Sequence, residues 1–359
     1  MKEQQYIHIF AGESNYSHAL LTLLDKHILL EEHIFCFGFG KMDKQKSDLQ
    51  RKLESKFLYI RNPLHVLKFL FLLSKCKWIY FHYLSYDPTL FFWFFNKKLL
   101  KKSTWIVWGN DVYSYHRRNN SLRTRTYEYL RRRIIPIFPE IAAFVKEDVE
   151  FIKTIYSSKA EYIPILYPIP VQLDHLMNVD VKKESNVPVF LLGNSNDPSN
   201  QHLEILELMA KHKSQEFKIY CPLSYGGTKA YRELVIATGK FYFGDKFIPL
   251  VSMLDATSYA KLLSEVDIAL MNHNRQQALG NILALMFLGK KIFMKTNISS
   301  YYFFLRNHFD VFDIDNIQSL DFNSVVEAVP NTNNNKHQVM KIIDEKNYLL
   351  LWRELLNRH

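Results

Sequence analysis

Along this chain, short apolar runs alternate with longer stretches of helical spacing. Residues 6–10 (YIHIF) read as a strand, followed by the polar turn Gly12-Glu13-Ser14-Asn15 and a helix over about 17–30. Residues 33–39, 57–60, 78–82 and 105–108 have the character of further strands, with helical segments such as 63–74 between them. The last of these strands closes on Gly109-Asn110-Asp111. The rhythm restarts at 189–192, a buried strand that ends in Gly193-Asn194-Ser195-Asn196-Asp197 and leads to a helix capped by Ser199. Strands are then expected at 217–221, 241–243, 266–271 and 291–294, with helices at 229–238, 258–264 and 280–288. Strands alternating with helices imply parallel βαβ units, hence an α/β fold with its ligand crevice at the carboxyl ends of the strands.

Between the two series lies a stretch with Pro164, Pro168 and Pro170 and a polar segment at 180–186, which reads as a linker. The expected organisation is two facing Rossmann-like domains with a cleft between them. They span residues 1–165 and 187–335 and are joined by 166–186, and a C-terminal helical segment, 336–359, is placed back on the first domain. The halves share no sequence repeat, and Asn331 to Asn335 is the low-complexity tract.

Composition narrows the classes. With 359 residues, 48% hydrophobic and 23% charged, the chain is globular and long enough for two cores. Cys36, Cys76 and Cys221 follow no metal-ligand spacing, which fits a reduced, cytosolic protein without a zinc site. The amino-terminal sequence lacks the pattern of a secretory signal. The apolar runs at 69–73 and 90–95 are cut by lysines well short of the roughly 20 residues of a membrane span, so a soluble or peripheral protein is expected.

Charge is unevenly placed. The net charge is +10, yet residues 51–133 carry eighteen Lys or Arg against Glu54, Asp87, Asp111 and Glu128, a local balance of +14 that leaves the remainder at −4. A basic face of this kind points to a polyanionic partner, nucleic acid or anionic lipid. Residues 90–102 are aromatic and then lysine-rich, with Arg117, Arg118, Arg123, Arg125 and Arg131 to Arg133 nearby. That order describes a docking element on anionic lipid as well as it describes a solvated face. No nucleic-acid-binding motif accompanies it, so no nucleic-acid partner is expected.

Several strands end in turns of small and amide residues. Amides at helix starts bind phosphate, because unsatisfied N–H groups and the helix dipole both favour an anion. Each such turn alone is equally well a βα connection. The decapeptide NHNRQQALGN (residues 272–281) holds more than a turn requires: Arg275, Gln276 and Gln277, then Gly280 and Asn281 at the start of a helix. There is no GxGxxG and no GxxxxGK[ST], which removes the dinucleotide and P-loop readings. Asp111 is the best-placed strand-end carboxylate of the first half, as a base or as a cap. His82 is the second candidate base, Glu13 and His18 weaker ones.

These residues, taken in order, resemble a family. WGNDVY (108–113), LLGNSNDPSNQHL (191–203), the run Tyr220 to Tyr225, NRQQALGN (274–281), Asn347-Tyr348-Leu349 with Trp352, Phe81-His82 and Asp87 to Leu90 are similar to the TDP-linked 4-acetamido-4,6-dideoxygalactose (N-acetylfucosamine): lipid II transferases of enterobacterial common antigen biosynthesis. Asn196 and Pro198 stand where that pattern has Gly and Arg, and Ala278 and Asn281 also differ from it.

The resemblance implies a GT-B glycosyltransferase that is inverting, metal-independent and without a cofactor. Its donor would be a TDP-sugar bound by the C-terminal domain. Its acceptor would be an undecaprenyl-diphosphate-linked saccharide at the cytoplasmic face of the inner membrane. On that basis Gly193, Asn194, Ser195, Arg275, Gln276, Gln277, Gly280 and Asn281 are expected around the sugar diphosphate. Tyr220 and Tyr225 are expected to bracket the base, core packing being an equal reading for Tyr220, and Asp111, or His82 second, to take the acceptor proton. Two other readings stay open from the residues: an epimerase or hydrolase of nucleotide sugars on the same scaffold, and a non-enzymatic module binding anionic lipid or nucleic acid.

Overall fold

The computed structural model describes residues 5–28, 30–38, 51–113, 121–168, 176, 186–328 and 332–359. By internal contacts the chain forms two compact units, Met1–Pro170 together with Asp344–His359, and Val171–Ile343.

The first unit runs β1 (Tyr6–Phe10), α1 (Asn15–His27), β2 (His33–Phe37), β3 (Phe57–Tyr59), α2 (Pro63–Lys75), β4 (Trp78–His82), α3 (Thr89–Phe95), α4 (Lys97–Leu100), β5 (Ser103–Ile106), α5 (Leu122–Ile134), β6 (Glu140–Ala143), α6 (Lys146–Tyr156) and β7 (Glu161–Pro164). Its seven strands pair in the order β3-β2-β1-β4-β5-β6-β7, all parallel. The strand order reverses between β1 and β4, which opens a crevice beyond Phe10 and His82.

The second unit runs β8 (Val189–Leu192), α7 (His202–Met209), β9 (Lys218–Pro222), α8 (Lys229–Phe243), β10 (Phe247–Leu250), α9 (Ala256–Glu265), β11 (Ile268–Met271), α10 (Leu279–Phe287), β12 (Lys291–Met294), α11 (Ser299–Arg306), β13 (Phe312–Asp313), α12 (Phe322–Val326) and α13 (Thr332–Ile342). Its sheet, β10-β9-β8-β11-β12-β13, is parallel throughout, with its switch point between β8 and β11. Strands β8, β11 and β12 are buried along their whole length, as parallel strands covered on both faces must be.

Where structure and sequence pattern differ, the reason is local. Residues 241–243 do not form a strand; they extend α8, which stops at Gly244 in a positive-φ conformation (φ 54°). The strand role falls to Phe247–Leu250 instead. Ile163 and Pro164 belong to edge strand β7 rather than to the linker, because a proline is tolerated where no ladder donor is needed. Most of 166–186 lies outside the described residues, as do Arg117, Arg118 and Pro170.

The break expected at 335 falls later. Residues 332–342 form α13 within the second unit, and the first unit resumes at Asp344 with α14 (Glu345–Leu356). Trp352 of α14 is fully buried and donates its indole N–H to the Leu166 carbonyl at 3.0 Å. Arg358 then pairs with Glu140 at 3.0 Å and with Glu161 at 2.7 Å, tying the C-terminal residues to the ends of β6 and β7.

Candidate functional site

In the second unit, the segments after β8, β9 and β11 converge on the switch point. Gly193 adopts φ +66° and packs so closely that an added Cβ would meet Asn200 Oδ1 at 2.6 Å, so only glycine fits there. Its N–H donates to Leu270 O at 3.0 Å, and the Asn194 N–H donates to Asn200 Oδ1 at 2.9 Å. This corrects the expectation that Gly193 and Asn194 offer backbone amides to a phosphate: both amides are committed, and the two residues shape the turn.

The hub of that turn is Asn200, a residue the sequence pattern did not single out. Fully buried, it accepts from Asn194 N–H and donates to the carbonyls of Ser195 (3.1 Å) and Asp197 (2.9 Å). His273 Nε2 lies 3.1 Å from the same Asn200 Oδ1. An amide oxygen accepts only, so His273 is the neutral Nε2–H tautomer. Burial, with Arg275 and His202 adding to it, lowers its pKa to about 3. Ser195, also buried, accepts from Asn200 Nδ2 at 3.2 Å through its Oγ. In sequence, SNDPSN looks like a solvated turn; that its second asparagine is sealed is decided by the β11 loop packing over it.

The decapeptide is cross-braced to this turn. Asn274 N–H donates to Ser199 O at 3.0 Å, and Ser199 Oγ donates to Gln277 Oε1 at 2.6 Å. Gln277 Nε2 reaches Asn194 Oδ1 at 3.3 Å, and Asn194 Nδ2 donates to the Tyr225 hydroxyl at 3.1 Å. Arg275 Nη2 lies 3.9 Å from Asp197 Oδ2, while Nη1 donates to Gln276 O at 3.2 Å. The Gln276 side chain is buried beside it.

Helix α10 begins at Leu279, one residue before the expected start, and the left-handed residue in front of it is Ala278 (φ 56°) rather than a glycine. Gly280 and Asn281 therefore lie inside the first turn. Their amides, with that of Leu279, have no carbonyl partner within the helix and carry its positive dipole end.

Tyr225 belongs to this cluster and is half exposed. Tyr220 does not. It lies in the middle of β9, paired with Leu191 and Ile248, and its hydroxyl is close enough to Glu265 for that carboxylate to add to the burial that raises its pKa. Glu265 ends α9 ahead of β11, at the opposite end of the sheet from the turns. A bracket of two tyrosines is thus corrected to one.

The candidate bases of the first unit are placed differently again. Asp111 is 0% exposed. Its Oδ2 accepts from Leu84 N–H (3.1 Å) and the Trp105 indole (2.8 Å), and its Oδ1 from Trp108 N–H (2.9 Å). Burial raises its pKa against the lowering effect of those bonds and of Arg131. A general base must come within about 2.6–3.2 Å of the proton it takes. Asp111 has no such opening, and its work is to tie the loops after β4 and β5 together.

His82 is equally closed. It stacks on Phe10 at 4.0 Å and on Trp352 at 5.9 Å, with Nε2 2.8 Å from His8 Nδ1 and Nδ1 bonded to the Tyr167 hydroxyl. Burial lowers its pKa well below the ordinary range, so it is a neutral core histidine. Glu13, by contrast, is half-buried just beyond β1 at the switch point, with Oε1 held by the Tyr59 hydroxyl at 2.6 Å. Its Oε2 is also buried, so both oxygens lie inside the turn after β1. The sequence signal was its position in the first βα turn.

Comparison with known proteins agrees with this architecture. The family model described as "4-alpha-L-fucosyltransferase glycosyl transferase group 56" matches residues 74–358. Among solved structures, the chain is similar to sucrose-phosphate synthase from Thermosynechococcus elongatus (12% identity, 99% of this chain and 100% of that one, TM-score 0.68). It is also similar to Anabaena Alr3699/HepE in complex with UDP-glucose (12%, 99% and 100%, TM-score 0.64) and to WaaG, a glycosyltransferase involved in lipopolysaccharide biosynthesis (9%, 97% and 98%, TM-score 0.61). These relatives share the GT-B fold with its two Rossmann-like domains.

Proposed function

The chain belongs to the group 56 glycosyltransferases, and from that membership we propose that it transfers a 4-acetamido-4,6-dideoxyhexose from a TDP-sugar to an undecaprenyl-diphosphate-linked saccharide of a surface polysaccharide, with inversion. That it is a glycosyltransferase follows from the family. The donor sugar is supported by the motifs quoted above and by the family description, which names a fucosyl group, likewise a 6-deoxyhexose.

The observation that carries the reading is the convergence of Arg275, Tyr225 and the first turn of α10 on the switch point of the second sheet. A departing nucleoside diphosphate needs charge and fixed donors as the anomeric carbon becomes oxocarbenium-like. Arg275 supplies the charge, the Leu279, Gly280 and Asn281 amides supply donors at a helix N-terminus, and Tyr225 offers a ring for the base. Gln277, Asn194 and Ser199 hold these groups in register. In the first unit we assign the acceptor's proton to Glu13, which the Tyr59 hydroxyl orients through Oε1.

The acceptor side is read as peripheral to the cytoplasmic face of an inner membrane. No helix among the described residues is long and apolar enough to cross a bilayer. Exposed Phe91 and Phe95 beside Lys97, Lys98 and Lys101 support docking on anionic lipid.

A thermal-shift screen of TDP-, UDP- and GDP-sugars followed by a transfer assay tests the proposal. A TDP-4-acetamido-4,6-dideoxyhexose should raise Tm and be consumed only with a lipid-linked acceptor. Rapid donor turnover without acceptor would favour the epimerase or hydrolase, and no shift with any nucleotide sugar would remove the donor reading.

A further inference from the structure

The carboxyl ends of β1 and β4 border a cavity of about 430 Å³ in the first unit, a size within the range of about 300–1,000 Å³ that holds small ligands. Its walls are mainly apolar: Phe69 and Leu70 of α2, Phe81 of β4, Leu84, and Phe92 and Trp93 of α3. The one carboxylate among its described lining residues, Asp87, already accepts from the Thr89 N–H and hydroxyl at 2.8 and 2.5 Å, which commits it to the start of α3. With few polar groups left to fix an orientation, the cavity is built for hydrocarbon rather than for a sugar or a phosphate.

The same two helices carry an apolar outer surface. On α2, Leu64, Leu67 and Phe71 are 74%, 62% and 51% exposed, at the i, i+3, i+7 spacing of one helix face. Lys68 and Lys75 flank that face, with Lys75 Nζ over the Phe71 ring at 4.1 Å. On α3, Phe95 is 78% exposed and is followed by Lys97, Lys98 and Lys101. Apolar side chains ringed by lysine complement an anionic bilayer. Val66 and Leu70, 37% and 39% exposed, belong both to the cavity wall and to the solvent side of α2, so the cavity begins where the outer face ends.

We propose that this cavity takes a segment of the carrier hydrocarbon chain of the lipid-linked acceptor, drawn from the bilayer between α2 and α3. This rests on the functional reading above for the acceptor, whereas the affinity for hydrocarbon rests on the cavity alone. The cavity lies beyond the carboxyl ends of β1 and β4, at the switch point of the first sheet, so a chain held there anchors the saccharide on the acceptor side.

The test uses 10-bromodecan-1-ol below its solubility limit, a neutral chain whose bromine quenches tryptophan on contact. Quenching should saturate in the wild type and be lost in Trp93→Phe. Leu70→Phe, which narrows the mouth, should raise the apparent Kd at least ten-fold at unchanged Tm, and Val66→Phe should repeat that effect. In transfer assays, shortening the acceptor's polyprenyl chain to one isoprene unit should raise KM at least ten-fold in the wild type, and Leu70→Phe should erase that difference. No saturable quench, or equal quench in Trp93→Phe, overturns the cavity's role. Weakened binding to phosphatidylglycerol vesicles in Leu70→Phe with acceptor KM unchanged assigns the cavity to bilayer lipid and overturns the acceptor chain as occupant. A protein that takes the probe yet transfers to no lipid-linked saccharide sinks the functional reading and leaves the hydrocarbon site standing.

Discussion

The Gln277 side-chain amide spans the switch point of the second sheet, donating to Asn194 Oδ1 at 3.3 Å while accepting from Ser199 Oγ at 2.6 Å. The loop after β11 and the turn after β8 are therefore one structure. Residues within it divide into those that brace and those left facing the crevice, and the two groups respond differently to substitution.

Arg275→Ala removes the positive charge that lies 3.9 Å from Asp197. Hydrogen bonds to charged groups are worth about 1.5–3 kcal/mol, so donor KM should rise roughly 10- to 100-fold with Tm little changed. Gln277→Ala breaks two braces and should lower Tm as well as raise KM. Steady-state kinetics alongside calorimetry separates the two; normal kinetics in both variants would return the stretch to a plain turn.

Glu13→Gln keeps size and removes the proton acceptor, and kcat should fall about 100- to 10,000-fold with donor binding intact. Asp111→Asn turns one of three accepting contacts into a clash of donors, costing about 1–3 kcal/mol of stability. A variant at Asp111 that folds normally but has no turnover would restore it as the base.

Acid should weaken the fold through its buried histidines. Burial lowers His33 and His202 to about 4 and His273 to about 3, and places His8 and His82 well below the ordinary value. Each is neutral when folded and protonates near pH 6.5 when unfolded. The stability they contribute is complete above pH 6.5 and is lost as pH falls toward 4, at up to about 1.4 kcal/mol per pH unit for each. Urea midpoints measured from pH 7.5 to 5 should fall steadily; a flat profile would mean these rings are protonated or exposed in the fold.

Trp352→Ala should cost about 3–5 kcal/mol, since it empties a large buried site and frees the Leu166 carbonyl. Loss of α14 also uncovers His82, which stacks on the same indole. Circular dichroism melts should show the first unit failing; an unchanged Tm would mean that α14 is not part of its core.

Much was legible because parallel α/β folds write themselves locally. Fully buried strands such as Val189–Leu192 are short apolar runs, and a turn such as Gly193-Asn194 follows directly from its residues, but Ser199 caps no helix: it lies in a short turn capped by Asp197, and α7 starts only at His202. Of the candidate donor residues, Gln277 and Tyr225 share Asn194 as a partner and Arg275 lies beside Asp197. Exposure was not legible. A carboxylate at a strand end looks the same in sequence whether the residue is half-buried against Tyr59, as Glu13 is, or enclosed by Leu84, Trp105 and Trp108, as Asp111 is. Nothing local distinguishes them, because the enclosing groups lie up to 27 residues away.

By itself the sequence determined the alternation of strand and helix, the two-domain division, the basic bias of the first half and the glycosyltransferase class. Those properties depend on periodicity, composition and ordered motifs that survive without coordinates. The tertiary structure alone decided which polar groups are spent inside the fold. It sealed Asp111 and His82, committed the Gly193 and Asn194 amides, set Tyr220 within β9, and left an apolar cavity beyond β1 and β4. Burial and hydrogen bonding are settled between residues distant in the chain, and the chemistry left for function is what that settlement does not consume.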